Sequence, residues 1–281
     1  MKNYIFKILL PLLIFTGSCT DVIDVDVPEA PPRLVIEASL DWVKGTSGNQ
    51  QFIKLSTSTP FFDNLTGNPV KGAIVSVTND NDNSEILFTD ENNGAYSTNE
   101  FVPIMGQSYT LRILHDNEVY IATETMTPVT EITTVFQSRE NGFDKDALEV
   151  NIEFNDPKDI ENFYLAKFQR RGDLLQTLID VKDEFTDGNK MSIFYEKLQD
   201  DDSGEREFVP GDIVDISLLG LSEQYYNYIK LLRQQSGGPG GPFSTTPAEI
   251  KGNCANMTRP ENYAFGYFRL TEVDKKVYQF E

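Results

Sequence analysis

Few side chains in this sequence have the types and spacing that chemistry requires. Two thiols, Cys19 and Cys254, and one imidazole, His115, are all the thiol and imidazole ligands in 281 residues. That count excludes histidine-rich zinc sites and thiolate clusters. A Ser-His-Asp relay would have to pass through His115. It lies in Leu114-His115-Asp116-Asn117, the pattern of a turn between two strands, so an exposed turn histidine is expected. Cys254 reads as a packing residue, because cysteine is among the side chains most often buried.

Oxygen ligands are better supplied. Asp200-Asp201-Asp202 with Glu205 is the densest acidic run, and Asn79–Asn83 is a second oxygen-rich turn. Hard cations such as Ca²⁺ take such ligands. The first run departs from an EF-hand: Gly204 falls one residue early and no glutamate closes the loop. Both are read as solvated loops, with no metal and no cofactor. Acid and base pairs occur by chance in so acidic a chain, and no constellation stands out, so the protein is read as non-enzymatic.

Gly237-Gly238-Pro239-Gly240-Gly241-Pro242 is not a phosphate cradle, since it lacks the Lys-Ser/Thr of a P-loop and follows a helix pattern. Phe243 and the extended Ser244–Pro247 come next. Two readings stand: a loop for a partner or ligand carried by Gly237, Gly238, Pro239, Gly240, Gly241 and Phe243, or a passive connection. Aromatic residues are dense in the second half, among them Tyr225, Tyr226, Tyr228, Tyr267 and Phe268. Packing and strand preference account for most of them, and a stacking platform for sugars or peptides is the second reading.

Cys19 has chemistry of a different kind. Lys2 and Lys7 give a positive start, Ile8–Phe15 an apolar core, and Thr16-Gly17-Ser18 a run of small residues. A cysteine directly after such a site resembles the bacterial lipobox, with Phe15 where leucine is usual. Residues 1–18 are then a signal peptide, too short in its apolar core to span a bilayer, and Cys19 is the lipidated residue. Two or three acyl chains hold a protein on a membrane, at about 0.8 kcal/mol per buried methylene. With Cys19 acylated, only Cys254 is left and no internal disulfide can form.

The chain that follows is acidic, with a formal net charge of −20, and losing Lys2 and Lys7 deepens it by two. Such a surface is repelled by phosphate backbones, so nucleic acid is not an expected partner. Residues 19–32 read as an acidic tether stiffened by Pro28, Pro31 and Pro32. Residues 33–128 carry short alternating runs broken by Asn, Asp and Gly, the pattern of an immunoglobulin- or transthyretin-like β-sandwich. After a junction at Met126–Glu131, residues 129–281 predict a second β-rich domain. Its strands are expected at Leu148–Phe154, Phe163–Phe168, Leu174–Val181, Met191–Tyr195, Ile213–Leu219, Ala264–Thr271 and Lys276–Phe280. One helix is predicted near 222–235, with Ser222 as N-cap and Gly237 as its stop.

Taken together, Cys19, the tether, Leu34-Val35-Ile36-Glu37, Tyr225-Tyr226-x-Tyr228, Gly252-Asn253-Cys254 and Phe265-Gly266-Tyr267-Phe268 resemble the DUF4249 lipoproteins of Bacteroidetes. That resemblance implies no catalytic residue. It implies a cell-surface lipoprotein of the outer membrane, accessory to a TonB-dependent transporter in nutrient uptake. The ligand would be a small molecule, glycan or peptide. The alternative is a surface adhesion or scaffold lipoprotein with no transporter. Gly266 is expected to let strands approach closely.

Overall fold

The structure, a computed structural model, describes residues 31–59, 67–184, 186–199, 206–236 and 250–281. Cys19, the Gly237–Phe243 loop and the Asp200–Glu205 acidic run lie outside the described residues. From Pro32 to Glu281 the chain is one continuous unit. It is mainly β, with one helix among the described residues.

Alternation builds the first half. β1 (Leu34–Val43) turns Leu34, Ile36, Ala38 and Leu40 inward and leaves Glu37 and Ser39 exposed, the period of a half-buried strand. β2 (Gln51–Thr57) does the same with Ile53 and Leu55. β3 (Ile74–Asn79), β4 (Glu85–Asp90) and β5 (Ala95–Thr98) follow, then the hairpin of β6 (Ser108–His115) and β7 (Glu118–Thr125). Asp116 and Asn117 turn that hairpin with positive φ, which short polar side chains tolerate. His115 is therefore the last residue of β6, opposite Glu118. It is half-buried against Asp116, with Nε2 3.3 Å from Oδ2, so the expected exposure is not found.

The second half holds β8 (Ile132–Ser138), β9 (Glu149–Asn155), β10 (Phe163–Arg170), β11 (Thr177–Lys182), β12 (Lys190–Glu196) and β13 (Ile213–Leu221). Helix α1 (Glu223–Ser236), β14 (Ala255–Asn256) and β15 (Phe265–Gln279) complete it. β8 has no strand signal in the sequence because a bulge between Ile132 and Thr134 interrupts its alternation. Leu174 and Leu175 lie in the exposed connection before β11, where Asp173 closes a turn on Arg170.

The larger sheet runs β11-β10-β13-β15-β1-β2-β5-β4-β3-β6-β7-β14, and the smaller runs β12-β9-β8. The larger one curls, so that Ile36, Leu40, Ile53, Leu55 and Tyr96 meet Val75, Val77, Leu111 and Ile113 in one core, as in an immunoglobulin-like sandwich. A second core lies between the smaller sheet and β10 and β13. A third lies under α1, built by Phe163, Leu165, Leu219, Leu221, Tyr226, Ile229 and Val273.

β15 joins them. The sequence predicts two strands here, broken near Glu272–Lys275, but one strand of 15 residues forms. Its first part runs parallel to β1 and its last part antiparallel to β13. The polar residues that look like a break are backbone ligands. Glu272 Oε2 accepts from Val129 N (3.0 Å) and Asp274 Oδ2 from Ile132 N (2.8 Å), which fastens the crossing segment Thr127–Ile132 along the strand.

Candidate functional site

Residues 250–263 reach the first core from the far end of the sequence, and a buried carboxylate holds them there. Glu118 Oε2 accepts from Tyr120 Oη (2.8 Å), Asn256 Nδ2 (2.7 Å) and Asn262 Nδ2 (2.7 Å), and Glu118 also pairs with Arg259. Gly252-Asn253-Cys254 is thereby laid against Gly266-Tyr267-Phe268. The Asn253 amide imitates a strand neighbour: its Nδ2 donates to Phe268 O and its Oδ1 accepts from Phe268 N, both at 2.8 Å. Gly252 rests on the carbonyl of Gly266. Gly266, at φ +90°, rests in turn on the carbonyl of Ile36, as the expected close approach requires. Cys254 is buried as expected, and burial pushes its thiol up to about 12. It is no nucleophile at neutral pH.

This backbone stack aims Tyr267 at α1. The helix starts because the Ser222 hydroxyl accepts from Tyr225 N (3.2 Å), as an N-cap should. Tyr226 and Ile229 face the sheet. Tyr225 and Tyr228 close around the Tyr267 ring, at centroid distances of 4.9 and 4.8 Å. Burial raises the phenols of Tyr228, to about 12, and Tyr267, so all act as neutral hydroxyls. Gln224, Asn227, Tyr228, Leu231, Ile250–Asn253 and Tyr267 line an open groove of about 570 Å³ beside the helix. Lys251 Nζ sits 4.0 Å over the Tyr263 ring nearby.

Four charged residues lie beneath the tyrosines, and sequence reasoning missed all of them. Arg269, only 3% exposed, pairs with Asp41 (2.6 Å) and lies against the Tyr225 ring. Burial, then the charge of Arg269, brings Lys167 down to about 8. Glu124, on β7, accepts from the Ser222 hydroxyl (3.0 Å) and from Thr125 N (3.1 Å). Glu124 had a signal, a charge at an inward position of an alternating run after Tyr120 and Ala122. Arg269 had none, since it alternates with Phe268 and Leu270 as an ordinary outward residue would.

Glu124 carries a prediction. Burial raises its carboxyl above the ordinary carboxylate range. The folded state then holds the proton more tightly than the unfolded state. Its stabilising contribution is therefore present at low pH and lost as pH rises through the raised value. Glu124→Gln should raise the melting temperature at pH 8 and change it little at pH 4. Thermal unfolding across that range checks it, and equal loss at both pH values would contradict it.

The groove offers amide donors and acceptors, aromatic faces and an ammonium group. That is a recognition chemistry for polar ligands with planar or ring faces. His115 lines a separate, smaller cavity with Glu118, Tyr120 and Arg259, so the groove has no imidazole base. The Asn79–Asn83 turn is occupied by its own bonds, Asn81 N to Asn79 Oδ1 (2.9 Å) and Ser84 N to Asp82 Oδ1 (2.9 Å). Among the described residues no helix is long and apolar enough to cross a membrane.

A family model described as a domain of unknown function, DUF4249, matches residues 20–277. No curated protein matches the chain. Among solved structures, it is similar to a two-domain fibronectin type III segment of chicken tenascin, at 10% identity over 68% of this chain and 91% of that one (TM-score 0.22). The FN1–FN3 domains of chicken CNTN1 match at 13% identity over 70% and 61% (TM-score 0.22). A DUF4785 family protein from Legionella pneumophila matches at 9% identity over 66% and 51% (TM-score 0.25).

Proposed function

The chain belongs to the DUF4249 family, a domain of unknown function, and from that premise we propose a non-catalytic accessory role at an outer membrane. The protein is anchored through acylated Cys19, and its folded body captures a ligand or docks beside a TonB-dependent transporter in nutrient uptake. The observation that carries this reading is the groove beside α1. It gathers the rings of Tyr228 and Tyr267 and several amides, while the Cys254 thiol nearby is held protonated by burial. Such a lining suits a glycan, a peptide or another small polar ligand. The position of the anchor favours a body held close to a membrane partner.

Mild crosslinking and co-purification from detergent-solubilised membranes test the reading. A TonB-dependent transporter should be recovered with the wild-type protein, and Cys19→Ala should leave the membrane fraction and lose it. Recovery of the wild-type protein alone, still in the membrane fraction, would favour the adhesion or scaffold reading instead.

A further inference from the structure

In the molecule's second half, two loops converge at strand ends, the β9–β10 connection and the β11–β12 connection. Asp156 follows β9, Asn162 precedes β10, and Asp183, Thr186 and Asp187 follow β11. Carboxylate oxygens of Asp156, Asp183 and Asp187 all lie within 4.8 Å of one another. Two of these acids are deeply buried, with Asp156 at 5% and Asp183 at 3% exposure. Each is fixed in place by a donor. Asp156 accepts from Tyr164 Oη (2.6 Å) and Gly188 N (3.1 Å), Asp183 from Asn162 N (2.9 Å), and Asp187 from Asp159 N (2.8 Å).

Charge balance is missing. Buried carboxylates are found paired with cations or on metals, because an isolated buried charge is costly. The nearby lysines are engaged elsewhere, Lys182 with Glu161 (2.5 Å) and Lys158 with Asp159 (3.9 Å). Among the described residues no lysine or arginine pairs with Asp156, Asp183 or Asp187. A second observation is independent of the acids. Asn162 Oδ1 and Thr186 Oγ1, on the same converging loops, are fully buried with no hydrogen-bond partner. Such orphaned oxygens are rare in folded proteins and call for an explanation.

We infer that this cluster is a calcium site. The three converging carboxylates offer oxygen, and so do the two orphaned side chains of residues bonded to or beside Asp183 and Asp187, which suits a hard cation. No thiol or imidazole belongs to the group to favour zinc. Calcium binds oxygen at about 2.4 Å, so two ligands on opposite sides of the ion are about 4.8 Å apart. Irregular loops of this kind suit calcium's flexible coordination better than the strict octahedron of magnesium. An acidic cavity lined by Glu161, Asp183, Glu184 and Asp187 gives the ion a way in. The site fastens β9, β10 and β11 together at one end of the second core, and none of its residues lines the groove beside α1.

Calorimetry and thermal unfolding of the EDTA-treated full-length protein test the inference, with CaCl₂ as probe and MgCl₂ for comparison. One Ca²⁺ should bind with a Kd of about 10⁻⁴ to 10⁻³ M, as in extracellular modules, and raise the melting temperature. Asp187→Asn, at an exposed position, should weaken binding about tenfold or more without lowering the calcium-free melting temperature. Asp183→Asn should abolish binding. Absence of any calcium response up to about 10 mM in the wild type, well above that Kd range, would overturn the inference. So would a response unchanged in Asp187→Asn, or one that MgCl₂ matches.

Discussion

Gly252→Ala should remove about 4 kcal/mol of stability or prevent folding altogether, although it adds a single methyl group. The added Cβ would overlap the carbonyl oxygen of Gly266, a backbone atom that cannot rotate away. Gly266 cannot retreat either, because it stands against the Ile36 carbonyl on the adjacent strand. The three backbones form a stack with no room at either step. Gly266→Ala should be at least as damaging, since φ +90° adds conformational strain to the same collision. Gly172→Ala provides the control: its φ is +100°, but nothing lies within 4 Å of the new methyl. Its cost should stay near 1 kcal/mol, the penalty of the dihedral alone. Urea denaturation of the three variants separates the effects. Equal stability of Gly252→Ala and Gly172→Ala would show that the stack yields.

Asp41→Ala should cost about 3 kcal/mol, because it strands a guanidinium inside the protein. Arg269 is 3% exposed and its strongest partner is Asp41, at 2.6 Å. Tyr225 supplies a ring face, with Arg269 Cζ 5.3 Å from its centroid, but no compensating charge. The expected loss sits at the lower end for buried pairs, since the Asp41 side chain keeps a solvent-facing side. Removing both charges tells the pair apart from its packing. Asp41→Ala with Arg269→Met should regain most of the lost stability, as apolar replacements of buried ion pairs do. A neutral Asp41→Ala, measured by the same denaturation, would mean that water reaches Arg269 in the folded state.

Much of the fold was legible wherever one strand face meets water. β1, β2 and the β6–β7 hairpin announce themselves by alternation, and α1 by Ser222 and the spacing of Tyr225, Ile229 and Leu232. Legibility fails where tertiary contacts override local pattern. The bulge in β8 hides a strand, and Glu272 and Asp274 disguise the middle of β15 as a turn. Neither carboxylate is a loop residue, since each binds a backbone N–H that arrives from more than a hundred residues away in sequence. The groove was legible only in part. Tyr225, Tyr228, Tyr267, Gly252 and Asn253 were singled out, but their convergence depends on Glu118 and Asn253 holding a distant segment. The Asp156-Asp183-Asp187 cluster left no local trace, because Asp156 comes from the β9–β10 loop and the two other acids, spaced four apart, from the β11–β12 loop.

The place of β15 in the sheet has a bearing on the order of events in folding. It follows every other strand of the sheet in the chain, yet stands between β1 and β13, with four strands on one side counting itself and eight on the other. A chain emerging amino end first can pair β1 with β2 and β10 with β13, but each group keeps a bare inner edge until β15 is delivered. Unpaired strand edges are templates for wrong partners, and joining segments so distant in sequence is slow. Holding the growing body apart from its copies during that interval would matter most, and completion of the sheet becomes a single late step that finishes all three cores together.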